Sequence, residues 1–158
     1  MGDSCRGQLF AQFILKQFPQ AKTILVVADG KGQVARKLAN KKHRVVVVEQ
    51  CPRWEGRQHK DVRYIAGTFT PDYKCPEPVS LVVGMHPDEA TGEIIKYALK
   101  HNLPFAVCPC CRKGRHAVGV GSHQEWLTKL RSLAVGYDTW ETQLKMTGKN
   151  IVIAGKPK

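Results

Sequence analysis

Long apolar runs are missing from this chain of 158 residues. None approaches the roughly 20 apolar residues that a helix needs to span a bilayer, which excludes a helical membrane protein. The start, Met1-Gly2-Asp3-Ser4-Cys5-Arg6, lacks the apolar core of a signal peptide. Arg6 also stands where a myristoylation motif beginning at Gly2 needs Ser or Thr. A soluble, cytoplasmic-type protein is expected. Acidic residues are scarce, with 13 Asp+Glu against 25 Lys+Arg and a net charge of +12. Such a field repels cationic partners and favours anionic ones: nucleotides, RNA or DNA, or an acidic surface. A solubility role for the charge is the plain alternative.

Internal repeats and low-complexity segments are absent, so residues 1–158 read as one domain, long enough to bury a core without disulfide staples. The cysteines at 5, 51, 75, 108, 110 and 111 do not form the framework of a small secreted domain; three crowd into Cys108-Pro109-Cys110-Cys111. They read as reduced thiols. Cys108 and Cys111 have the two-residue gap of zinc ligands, and His116 and His123 lie downstream. A structural zinc site wants four ligands, and no second cysteine pair exists, so no metal is expected.

What is present is alternating strand and helix. Leu9, Phe10, Phe13, Ile14 and Phe18 make an apolar stripe at helical spacing, predicting a helix from Ser4 to Phe18. Thr23–Ala28 and Arg44–Glu49 are continuous β-branched runs, the mark of strands buried on both faces. Between them lie the turn Asp29-Gly30-Lys31-Gly32 and a helix over Gln33–Asn40, giving a βαβ unit. Further strands are expected at Val62–Ala66, Val79–Gly84 and Pro104–Cys108, with helices at Asp88–His101 and Ser122–Ala134. Cys51–Lys60, Thr70–Pro78 and Arg112–Gly121 read as surface connections. Tyr137–Met146 and Asn150–Ala154, joined by Thr147-Gly148-Lys149, suggest an antiparallel hairpin. The predicted fold is α/β: a Rossmann-like, mostly parallel sheet with helices on both faces and a C-terminal antiparallel hairpin.

The glycine turn after the first strand lets backbone approach a ligand and leaves helix N–H groups to meet it. Glu49, at the tip of the second strand, is placed to accept both hydroxyls of a ribose. This arrangement serves S-adenosylmethionine and NAD alike, because Gly30-x-Gly32-x-x-Ala35 also satisfies the dinucleotide fingerprint. Two clusters follow later strands. His86-Pro87-Asp88-Glu89 lies at a carboxyl strand end, where His86 or Asp88 can orient or deprotonate a hydroxyl or amine. The alternative makes Asp88 the N-cap of the next helix. Cys110, Cys111 and Arg112 fall at the same rim, as a pocket wall with a basic edge.

The whole chain resembles class I S-adenosylmethionine-dependent methyltransferase-like domains. The resemblance is to a branch carrying His86-Pro87-Asp88-Glu89-Ala90-Thr91, Pro109-Cys110-Cys111 and Gly148-Lys149-Asn150 after successive strands. A more distant likeness is to tRNA 2′-O-methyltransferase-type domains, which also have paired cysteines after a strand. The resemblance implies S-adenosylmethionine as cofactor, held by Ala28, Asp29, Gly30, Gly32, Glu49 and Gly84. It implies Asp88 and His86 at the reacting group and Cys110, Cys111 and Arg112 on the substrate side. RNA or another anionic acceptor is the expected partner. The sequence departs from the pattern at two places. Val26 and Ala28 stand where the first loop has an acid and its earliest glycine, with Asp29 as the nearest substitute. Gly67-Thr68-Phe69 replaces the usual acid after the third strand. Residues 23–53 alone also look like the NAD-binding half of potassium-transport regulatory domains. An NAD-binding module and a catalytically silent interaction domain therefore remain the alternatives.

Overall fold

Side chains that alternate between two apolar faces fix the centre of the molecule. In the computed structural model, which describes residues 3–158, strand β1 (Thr23–Val27) sends Ile24 and Val26 to one face and Leu25 and Val27 to the other. Strand β2 (Arg44–Glu49) does the same with Val45 and Val47 against Val46 and Val48. All eight are at most 1% exposed. Burial on both faces is the reason for the unbroken β-branched runs. Gly2 lies outside the described residues, and with it the myristoylation question.

Each face has its own pair of helices. The first is covered by α1 (Asp3–Gln17), through Phe10, Phe13 and Ile14, and by α2 (Gln33–Asn40), through Val34, Ala35 and Leu38. The second is covered by α3 (Thr91–His101), through Ile94, Ile95 and Ala98, and by α4 (His123–Leu133), through Trp126, Leu127 and Leu130. A Ser-x-x-Glu motif starts α4: Ser122 Oγ accepts from Glu125 N, and Glu125 Oε2 accepts from Gly121 N. No helix among the described residues is long and apolar enough to cross a membrane.

The remaining strands are β3 (Val62–Ala66), β4 (Leu81–Met85), β5 (Phe105–Cys108), β6 (Tyr137–Gln143) and β7 (Ile151–Pro157). The sheet order is β3-β2-β1-β4-β5-β7-β6. Strands β1 to β5 are parallel, and β7 runs antiparallel between β5 and β6. This is the expected Rossmann-like sheet with its antiparallel hairpin. The order reverses between β1 and β4, whose carboxyl ends part there and leave a crevice.

Several boundaries differ from the sequence expectation: β6 ends at Gln143 rather than Met146, β7 runs to Pro157 rather than Ala154, and two further shifts have local causes. Strand β4 begins at Leu81 rather than Val79, because the Ser80 hydroxyl takes over the edge of the ladder: it accepts from Lys22 N and Thr23 N and donates to Thr23 O. The helix expected from Asp88 begins at Thr91, after a 3-10 turn over Asp88–Ala90. Asp88 has φ 52°, which no α-helix accommodates.

Candidate active site at the carboxyl ends of β1, β2 and β4

The crevice has a volume of about 420 Å³, within the range of small-molecule sites. Its floor is the backbone after β1. Ala28 sits at φ 62° and Gly30 at φ 54°, both left-handed. A Cβ on Gly30 would lie 2.8 Å from Arg53 Nη2, the movable end of an exposed side chain, so it is the left-handed conformation that calls for glycine. Ala28 keeps the same left-handed conformation with a methyl group, at the position where the related pattern has its earliest glycine.

Glu49 organises this floor. It is 9% exposed, and its Oε1 accepts from Gly30 N at 2.8 Å while Oε2 accepts from Cys51 N at 2.8 Å. A carboxylate has about four lone-pair sites. Two are occupied by backbone, and the rest are available to a ligand in the crevice that Glu49 lines.

Asp29 does something different from a ligand contact. Its Oδ1 accepts from Val34 N at 3.2 Å and Oδ2 from Ala35 N at 2.8 Å. Gly32, the residue at the N-cap of α2, has no side chain to cap with, and Asp29 supplies the carboxylate instead. Two helix N–H groups expected to meet a ligand are thereby engaged by the protein itself. Burial pushes the Asp29 carboxyl up to about 7, against the two backbone N–H donors and Arg36, which pull it back.

The opposite wall comes from the turn after β4. His86 has φ 49°, like Asp88 left-handed and not glycine. Strain of this kind collects at functional sites and persists where neighbours over-determine it. Here His86 N donates to Cys108 O at 2.8 Å, and the ring Nε2–H donates to the Lys149 carbonyl at 3.0 Å. The Cys108 thiol also donates to Lys149 O, at 3.7 Å. Lys149, in the turn between β6 and β7, thus closes one side of the site.

Asp88 is not the helix cap considered from the sequence. Its side chain makes no capping bond; its backbone carbonyl accepts from Thr91 Oγ1, and its Oδ1 accepts from the Cys110 thiol at 3.3 Å. The carboxylate is exposed and lines the crevice.

Gly84 stands one turn behind the crevice. A Cβ there would lie 2.5 Å from Ile94 Cδ1 and 3.1 Å from Pro87 Cβ, so the residue lets α3 and the His86 turn pack against β4. Gly32, Cys110, Cys111 and Arg112 also lie outside the crevice lining. Cys110 and Cys111 flank Asp88 at its mouth, with the two Sγ atoms and a carboxylate oxygen all within 4.8 Å of one another. Cys108 is separated from them: it is fully buried, and burial pushes its thiol up to about 12. His116 pairs with Glu93 at 2.7 Å. The ligand set considered from the Cys108–Cys111 spacing is therefore dispersed.

Arg53 was not evident in the sequence, where Cys51–Lys60 read as a surface connection. Its backbone N donates to Gly30 O at 3.1 Å, and its side chain lies over Gly30. It borders both the crevice and a second hollow of about 280 Å³ that Arg6, Lys31 and His86 also line. The overlooked signal is Trp54. It is only 8% exposed and packs on Tyr64 at 5.0 Å, and so anchors the connection to the fold.

Several solved structures share this architecture. The glycopeptide N-methyltransferase MtfA matches with a TM-score of 0.69 at 12% identity, over 99% of this chain and 98% of that one. CalS10, an amino pentose methyltransferase from Micromonospora echinaspora solved with S-adenosylmethionine bound, matches with a TM-score of 0.66 at 14% identity, over 95% and 89%. An S-adenosylmethionine-dependent methyltransferase from Aquifex aeolicus gives 0.63 at 17%, over 96% and 92%. No family model and no curated protein sequence matches the chain. At these identities the likeness establishes the fold, which is that of class I methyltransferases.

Proposed function

We propose that this protein binds S-adenosylmethionine in the crevice between β1 and β4 and transfers its methyl group to an anionic acceptor, RNA being the acceptor favoured by the charge. The observation that carries the reading is Glu49: an acid at the end of β2, turned into the crevice and tied to the backbone of the Gly30 turn. It is placed to accept the ribose hydroxyls of an adenosyl ligand. S-adenosylmethionine-bound structures with the same fold support the same cofactor. Phe69, on the β3 side of the crevice, offers an apolar surface to an adenine, in place of an acid.

When bound, the cofactor supplies a methyl group activated by a sulfonium. The chain's own task is then to position the acceptor, which dominates the rate of an in-line transfer. With its Nε2–H donated to Lys149 O, a neutral His86 ring keeps Nδ1 unprotonated. That atom is the candidate to take the acceptor's proton. Asp88, exposed at the same rim, positions the acceptor. Arg6, Lys31 and Arg53 in the adjoining hollow suit an anion. Six free cysteines among the described residues fit a reducing, cytoplasmic setting.

Calorimetric titration tests the cofactor. S-adenosylmethionine and S-adenosylhomocysteine should bind in preference to NADH, and Glu49→Gln should weaken them. Tight NADH binding with no adenosyl binding would overturn the reading. For the acceptor, RNA affinity should fall steeply with salt, and Arg53→Ala should shallow that slope. RNA that fails to bind even at low salt would remove it as acceptor and leave the cofactor reading standing.

A further inference from the structure

We propose that Asp88, Cys110 and Cys111 form a binding site for a single zinc-type divalent cation at the mouth of the crevice. This departs from the expectation drawn from the sequence, where Cys108 and Cys111 have zinc-ligand spacing but the ligand set is incomplete. The fold supplies the partner from elsewhere. Asp88 belongs to the turn after β4 and the two thiols to the turn after β5, strands that lie side by side in the sheet. Their ligand atoms all lie within 4.8 Å of one another, and Cys110 Sγ is 3.3 Å from Asp88 Oδ1. Two zinc–sulfur bonds of ~2.3 Å at a tetrahedral angle place the sulfurs about 3.8 Å apart. Rotation of these exposed and half-buried side chains would reach that geometry.

The chemistry of the donors selects the cation. Two thiolates and one carboxylate are a borderline-soft set that suits zinc and is poor for magnesium or calcium. Three protein ligands leave a fourth position for water or an acceptor group, the pattern of open rather than structural sites. The surroundings also favour a cation. Three groups that can each become anionic are packed together, where their charges would repel one another. A divalent ion relieves that repulsion. The accounting is direct: two S–H bonds break, two Zn–S bonds form, and two protons leave to solvent.

Cobalt and zinc titrations of the reduced, chelator-treated protein test the site without cofactor or acceptor, so the result is independent of the methyl-transfer reading. One Co²⁺ per chain should bind with release of two protons and a thiolate-to-cobalt charge-transfer band, and zinc should displace it with no further proton release. Cys111→Ser, at the more exposed thiol, should lose about half the band and weaken affinity by about tenfold or more. Cys110→Ser should do the same. Asp88→Asn should keep the band and weaken affinity. Cys51→Ala should change nothing. Binding that survives a Cys110→Ser, Cys111→Ser double variant, or no saturable binding at one equivalent, would overturn the proposal.

Discussion

The turn after β1 and the turn after β4 face each other across the crevice and are held in opposite ways. The first is braced locally. Asp29 caps α2 only a few residues on, and Glu49 reaches from the adjacent strand to Gly30 and Cys51. The second is braced from afar. His86 is held by Cys108 and by Lys149, 63 residues along the chain, and Asp88 meets Cys110 of the next turn. The carboxylates of the first turn hold the backbone together. The carboxylate of the second is exposed and holds no backbone. The difference teaches that the acids around one crevice divide by what their oxygens already hold: those of Asp29 and Glu49 brace backbone N–H groups, Glu49 keeping lone pairs for a ligand, and those of Asp88 brace none.

Glu49→Ala should break the comparison most strongly. It strands the buried Gly30 N–H, costing ~1–3 kcal/mol, and the part-buried Cys51 N–H, costing less, so urea denaturation should report a loss of about 3 kcal/mol. Glu49→Gln, which keeps an acceptor oxygen, should lose roughly half of that.

Asp29→Asn should act through pH. The folded carboxyl titrates at about 7 against an ordinary 3.8, so its stabilising contribution is complete below about pH 3.8 and is lost as pH rises through about 7. Asparagine carries no charge to desolvate. Relative to the parent, the variant should therefore gain stability from pH 4 to 7 and level off above, by roughly 2 kcal/mol given partial exposure. Denaturation midpoints across that range check the sign.

The smallest stability effect sharpens the comparison from the other side. Asp88→Asn should leave folding within about 0.5 kcal/mol, as for an exposed side chain whose one hydrogen bond is to a thiol and can be kept by the amide oxygen, yet methyl transfer to an RNA acceptor should fall severalfold or more. Equal losses of stability and turnover would make Asp88 one more structural acid.

The sheet and its helices were legible because their causes are local. Runs such as Val45-Val46-Val47-Val48 state double-sided burial outright, and Phe10, Phe13 and Ile14 state a helix face. Glu49 was legible because its place follows from the βαβ unit. The second turn was not. Nothing near Asp88 in sequence announces φ 52°, since that conformation depends on how the turn packs against neighbouring strands. In the sequence Asp29 looks like a ligand contact, because only the folded turn brings its carboxylate onto Val34 N and Ala35 N. The grouping of Asp88 with Cys110 and Cys111 depends on β4 and β5 being neighbours, which spacing along the chain does not convey.

The hairpin adds a consequence for the order of assembly. Among the described residues, strand β6 pairs only with β7, and β7 connects it to β5. The edge of the sheet therefore docks as one cooperative unit and detaches as one. Native-state hydrogen exchange should place β6 and β7 in a shared opening event. The same event withdraws the Lys149 carbonyl from His86 and Cys108. Fluctuation at the rim of the sheet is thereby transmitted to the wall of the crevice, which is complete only while the hairpin is docked.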